Sequence, residues 1–131
     1  MSTSPTTPCP CGSGKTLTNC CGFSHAGEAA PTAEALMRSR YCAYVLGLED
    51  YLLATWHEST RPASLGLAMQ SPKPTWLGLS VKRHETPTPD TAIVEFVARL
   101  RMGGGSAERM HETSRFVREG GRWFYVDGTL G

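Results

Sequence analysis

Residues 111–128 read "HETSRFVREGGRWFYVDG", two alternating runs interrupted only by Gly120-Gly121. A period of two is the mark of a half-buried strand. A Gly-Gly pair suits the two-residue turn of a hairpin, where both central residues need positive φ. Setting Arg118–Glu119 against Arg122–Trp123 across the turn sorts the side chains into two faces. Phe116, Trp123 and Tyr125 share one face with Glu112, Ser114 and Asp127; Val117, Phe124 and Val126 take the other. The sorting depends on register, because a slip of one residue exchanges the faces.

The same period runs upstream. "TWLGLSVKRHE" (75–85), "TAIVEFVARLRM" (91–102) and "ERMHETSRFVRE" (108–119) join "RWFYVDG" (122–128) as strands, separated by "TPTPD", "GGGSA" and "GG". Val94, Phe96, Ala98 and Leu100 extend the first face, with Leu100 near Met110. Ile93 and Val97 extend the second, where Glu95 is expected across from Arg115. That second face is half apolar and is the expected surface of a homodimer. Before residue 75 the period is helical. Thr32 is a ready N-cap, Glu34 suits a first turn, and Met37, Tyr41, Tyr44, Val45 and Leu48 recur at helical spacing, with a break at Gly47. A second helix is expected over about 49–56, then a proline-rich connection with a short helix near 62–68. Helices followed by an antiparallel meander make an α+β fold, with the helices on one face of the sheet.

The 131 residues suit one domain with a short appendage. Thirteen basic side chains stand against 12 acidic ones, for a net charge of +1, so there is no electrostatic signal for nucleic acid. No apolar run reaches the roughly 20 residues of a bilayer span. The opening "MSTSPTTPCP" lacks the basic and apolar regions of a signal peptide, so a cytoplasmic location is expected.

The appendage is "CPCGSGKTLTNCCG" (9–22), which holds four of the five cysteines in the pattern C-x-C-x8-C-C. Reduced thiols clustered this tightly suit metal binding better than disulfides in a reducing compartment. Cys9, Cys11, Cys20 and Cys21 supply the four ligands of a tetrahedral zinc site, with no open position for catalysis. His25 is the alternative fourth ligand. A thioredoxin-type site would need C-x-x-C. "GKT" (14–16) imitates the end of a phosphate loop, but Cys9 stands where that motif needs glycine. Cys42, in the first long helix, reads as a small buried hydrophobe.

"CPCGSGK" followed by "CCG" closely resembles the SEC-C motif, the zinc-binding element at the C-terminal end of the SecA translocation ATPase. There it docks a chaperone and ribosomes, so the resemblance implies a protein or ribosomal partner for residues 9–22 and one structural zinc ion. With "PTAEALMRSRYCAYVLGLEDYLLATWH", "VEFVAR" and "HETSRFVREGGRWFYVDG", the chain resembles the YchJ-like family of uncharacterised bacterial proteins. Their middle region is similar to the nuclear transport factor 2-like cone, in which helices and a curved sheet enclose a cavity. The implied division is a SEC-C motif with a disordered start over 1–27 and a cone over 28–131.

Such cones host both enzymes and plain binding modules. Candidate cavity groups are Glu112, Ser114 and Asp127, with Tyr125 and Trp123 as walls and Trp56 and His57 on the helical side. A carboxylate against aromatic rings, Glu112 or Asp127, would be the acid or base of an enzyme. No convergent set can be read from the spacing, which favours local satisfaction of these groups over catalysis. The three His-Glu pairs, at 57–58, 84–85 and 111–112, never extend to H-E-x-x-H.

Overall fold

The computed structural model describes residues 8–69 and 74–130. The start expected to be disordered lies outside the described residues. The motif opens with a tight reversal in which the Cys9 amide donates to the Lys15 carbonyl (2.9 Å) and the Gly12 amide to that of Cys9 (3.1 Å). Gly12 has a φ of 79°, a value that costs a residue with a Cβ but not glycine. A 3-10 turn at Leu17–Asn19 leads into α1, Cys21–His25. Next come α2 (Ala33–Leu46) and α3 (Glu49–Ala54), then a second 3-10 turn at Leu67–Met69, a little later than expected. The strands β1 (Pro74–Thr88), β2 (Thr91–Met102), β3 (Ala107–Glu119) and β4 (Arg122–Leu130) form one antiparallel sheet in chain order.

Local chemistry sets the ends of α2. The Thr32 hydroxyl accepts the Ala35 amide (3.0 Å), and Gly47 closes the helix in the left-handed region. Along α2 the positions Met37, Arg40, Tyr41 and Tyr44 turn to the sheet. Tyr41 meets Trp76 of β1 edge to face, with centroids 5.7 Å apart.

The β3–β4 hairpin adopts the expected register, Arg118 opposite Trp123 and Glu119 opposite Arg122, with both turn glycines at positive φ. Met110 pairs with Ala98 rather than Leu100. That shift of two residues leaves the faces unchanged. Val94, Phe96, Ala98 and Phe116 are buried against the helices, as the alternation requires.

One feature of β4 changes the faces. Phe116 pairs with Tyr125 but Arg115 with Asp127, so Val126 is a bulge. Beyond it the alternation inverts: Asp127 turns to the outer face, and Gly128 takes the inner position opposite Ser114. Asp127 is exposed there and forms an ion pair with Arg115. The expected pairing of Glu95 with Arg115 is replaced by His111 (2.6 Å) and Arg83 (3.4 Å) on Glu95. The outer face therefore carries ion pairs beside the buried Val97 and the half-buried Ile93, Val117 and Phe124 that the alternation placed there.

The hydrophobic core is continuous from the motif into the cone. Cys9, Cys11, Leu17 and Cys21 belong to the same buried cluster as Leu36, Met37, Phe96 and Phe116. Arg38 adds a polar tie, donating from Nη1 to the Cys11 carbonyl (2.9 Å) and from Nε to Glu34 (3.0 Å). The motif is a wall of the cone rather than an arm tethered to it.

Candidate metal centre and the adjoining cavity

The reversal at Gly12 brings Cys9 and Cys11 to one side of a small space, and the 3-10 turn delivers Cys20 and Cys21 to the other. The Sγ atoms of all four lie within 4.8 Å of one another. Cys11 and Cys20 are 3.7 Å apart, Cys20 and Cys21 4.0 Å. With metal–sulfur bonds of about 2.3 Å, the edge of a tetrathiolate tetrahedron is about 3.8 Å. These sulfurs therefore fit one ion without rearranging the backbone. Cys9, Cys11 and Cys21 are buried, while Cys20 is half-buried and within 3.1 Å of the Ser13 hydroxyl. Gly22 holds the last turn close, since a Cβ there would stand 2.7 Å from the Leu17 carbonyl oxygen.

Hydrogen bonds from the Cys21 and Cys42 thiols pull the Cys11 thiol well below its ordinary value. The same contacts with Cys11 hold Cys21 and Cys42 high, because theirs are the donated protons. His25 is not part of the cluster. Its Nε2 lies 2.8 Å from the Ser39 carbonyl oxygen and its ring meets Tyr51 edge to face. Four sulfurs fill a tetrahedral set, so the cluster could hold a metal ion with no coordination position left for a substrate.

On the other flank of α2 lies a cavity of about 260 Å³ between the helix and the inner sheet face. Of the candidates read from the sequence, Glu112, Ser114 and Tyr125 line it. The Ser114 hydroxyl donates to the Glu112 carboxylate. Gly128 makes room for this pair, because a Cβ there would overlap the Glu112 side chain. Trp56 stands behind Tyr125, edge to face at 4.9 Å. Trp123 is buried nearer the hairpin turn, beneath the Arg118 guanidinium. His57 lies outside, bonded to Ser59 (2.7 Å) and Glu119 (2.8 Å), and Asp127 is on the outer face. The cavity is lined by Phe96, Phe116 and Trp76 without being filled by them.

Sequence reading missed Arg40. It is buried, and its Nη1 donates to the Leu52 carbonyl and the Thr55 hydroxyl, both at 2.7 Å. The guanidinium carbon lies 4.6 Å from the Tyr125 ring centroid and 5.1 Å from that of Trp56. The helical period carried the signal: Arg40 stands three residues after Met37 and four before Tyr44, inside the apolar stripe. Burial, with the Glu112 charge second, pushes the Tyr125 phenol up to about 12.

Comparison with known proteins bears on both regions. The family described as "YchJ, middle NTF2-like domain" matches residues 32–128, and the SEC-C motif matches residues 6–23. The chain belongs to the YchJ-like family. A UPF0225 protein of Xanthomonas campestris is 59% identical over 123 residues, covering 94% of this chain and 95% of its own. One from Chromobacterium violaceum is 60% identical over 126 residues, covering 93% and 92%. The solution structure of a SEC-C motif containing protein from Rhodopseudomonas palustris superposes with a TM-score of 0.84 at 36% identity, over 94% of this chain and 98% of that one. The α+β architecture of the YchJ-like family, a SEC-C motif followed by an NTF2-like domain, is thus that of this chain.

Proposed function

We propose that the chain is a zinc-binding cytoplasmic adaptor, in which the SEC-C motif docks on a protein or ribosomal partner and the cone is its rigid body. The observation that carries this reading is the closed set of four sulfurs, three of them buried. A metal held this way organises a surface and activates no water. Zinc suits four thiolates, and the residues it would fix include the exposed loop Gly12–Lys15 and Thr18. No described helix is long and apolar enough to cross a membrane. A homodimer through the outer sheet face, where ion pairs stand beside Val97, Ile93 and Val117, belongs to the same reading; light scattering that shows only monomer at high concentration would remove it.

The test uses the loop and leaves the ligands alone. A Lys15→Glu/Thr18→Glu variant should keep one zinc per chain and the wild-type melting temperature. It should also lose co-sedimentation with ribosomes, or capture of the partner that purified wild-type protein binds directly. Equal binding by variant and wild type would overturn docking through the motif.

A second reading rests on the unfilled cavity. A small molecule with an apolar ring and a polar end would fit between Arg40 and Glu112, with Glu112 as acid or base. Screening a fragment set by protein-observed NMR should then shift resonances of Tyr125 and Trp76, and Ala98→Trp should abolish the shifts. A screen in which no fragment perturbs either residue would remove this reading.

A further inference from the structure

Cys42 is 21 residues beyond the last sulfur of the motif and on a different helix, yet its Sγ lies 3.4 Å from that of Cys9. The residue has no exposure to solvent. It belongs to the same buried cluster as Cys9, Cys11 and Cys21. All five cysteines of the chain thus converge on one place, and none is in a disulfide. A separation of 3.4 Å is far beyond the roughly 2.05 Å of a disulfide and close to the edge of a metal tetrathiolate. Of the five, only Cys20 reaches toward solvent.

We infer that Cys42 is a reserve ligand of the metal centre. With Cys20 bound, Cys42 stands beside Cys9 outside the ligand set. When Cys20 is removed or chemically capped, Cys42 takes its place, and Cys9, Cys11, Cys21 and Cys42 hold the ion. In the exchange one metal–sulfur bond breaks and one forms. Cys42 releases its proton to solvent, a departing Cys20 thiolate takes one up, and no electron is transferred. The buried set keeps the metal while Cys20, the sulfur beside Ser13, becomes free to react. Because Cys42 sits on α2, the exchange also ties the metal to the helix that lines the cavity.

This inference rests on the metal reading above, and one experiment separates the two. The full chain, Cys20→Ala, Cys42→Ala and Cys20→Ala/Cys42→Ala are loaded with zinc for metal analysis and with cobalt(II) for absorption spectra. Alanine fits the buried Cys42 site without introducing a hydroxyl there. Both single variants should bind one ion per chain with the thiolate-to-cobalt intensity of four sulfurs. The double variant should show three sulfurs and lose zinc to a competing chelator at least about tenfold more readily than either single variant. Iodoacetamide gives a second readout. It should label Cys20 of the zinc-loaded wild type without releasing the ion, and release it from Cys42→Ala. If the wild type binds neither metal, the metal reading itself fails. If the wild type binds but Cys20→Ala matches the double variant, or if labelling releases zinc equally from wild type and Cys42→Ala, the reserve-ligand inference is overturned.

Discussion

The thiol cluster and the cavity flank the same helix and treat their polar groups in opposite ways. Toward the motif, α2 presents Arg38 and Cys42, and there every described sulfur has a sulfur or hydroxyl neighbour within hydrogen-bonding range. Toward the sheet it presents Arg40, Tyr41 and Tyr44 to a space of about 260 Å³ that no described side chain fills. Closure on one side and vacancy on the other divide the labour. In the proposed reading the closed cluster would supply stability and shape, and the cavity with a buried cation and a carboxylate the capacity to bind.

The comparison can be broken most forcefully at the metal. If the ion underwrites the shared core, stripping it must weaken the cone as well as the motif. With zinc about a thousandfold above its dissociation constant, the loss is about 4 kcal/mol. For a chain of this size that lowers Tm by roughly 10–20 °C. Calorimetry with and without chelator checks this, and an unchanged Tm would mean that the motif and cone are energetically independent.

A smaller effect is expected at Arg40. Replacing it with alanine removes both of its hydrogen bonds and its aromatic contacts from a buried site. The cost should be about 2–4 kcal/mol, read from denaturant midpoints, while the zinc content stays at one per chain. A loss of zinc in this variant would show that the two flanks of α2 are coupled. The smallest effect is spectroscopic. Burial is the leading cause of a raised phenol in all four tyrosines, and Tyr125 reaches about 12. A phenol whose folded value lies above the ordinary 10 binds its proton more tightly when folded. Its contribution is therefore intact below pH 10 and is lost as pH rises from 10 toward 12. Absorbance titration should show phenolate appearing above the ordinary value, with Tyr125 last, near 12. Tyr125 titrating near 10 in the folded protein would place an open, wet channel at the cavity.

Much of this was legible in the sequence because it depends on period and spacing. The alternation of β2 and β3 survives a two-residue register shift, so the burial of Phe96 and Phe116 followed correctly. The C-x-C-x8-C-C spacing marked four of the five sulfurs that gather in space. What escaped depends on single residues or on tertiary contact. The bulge at Val126 has no signature in the alternation, yet it sends Asp127 outward and puts Gly128 beside Glu112. Arg40 was hidden by its charge, although its helical position pointed inward. The place of Cys42 beside Cys9 follows from how α2 packs on the motif, across 33 residues of chain, and no local pattern encodes it.

The central claim, a closed thiolate centre set into the wall of the cone, is tested most directly by X-ray absorption at the zinc edge of the loaded full-length protein. The account predicts a shell of four sulfurs at about 2.3 Å with no nitrogen or oxygen scatterer. A shell containing oxygen or nitrogen would mean an open site or a histidine ligand. It would contradict the structural role assigned to Cys9, Cys11, Cys20 and Cys21.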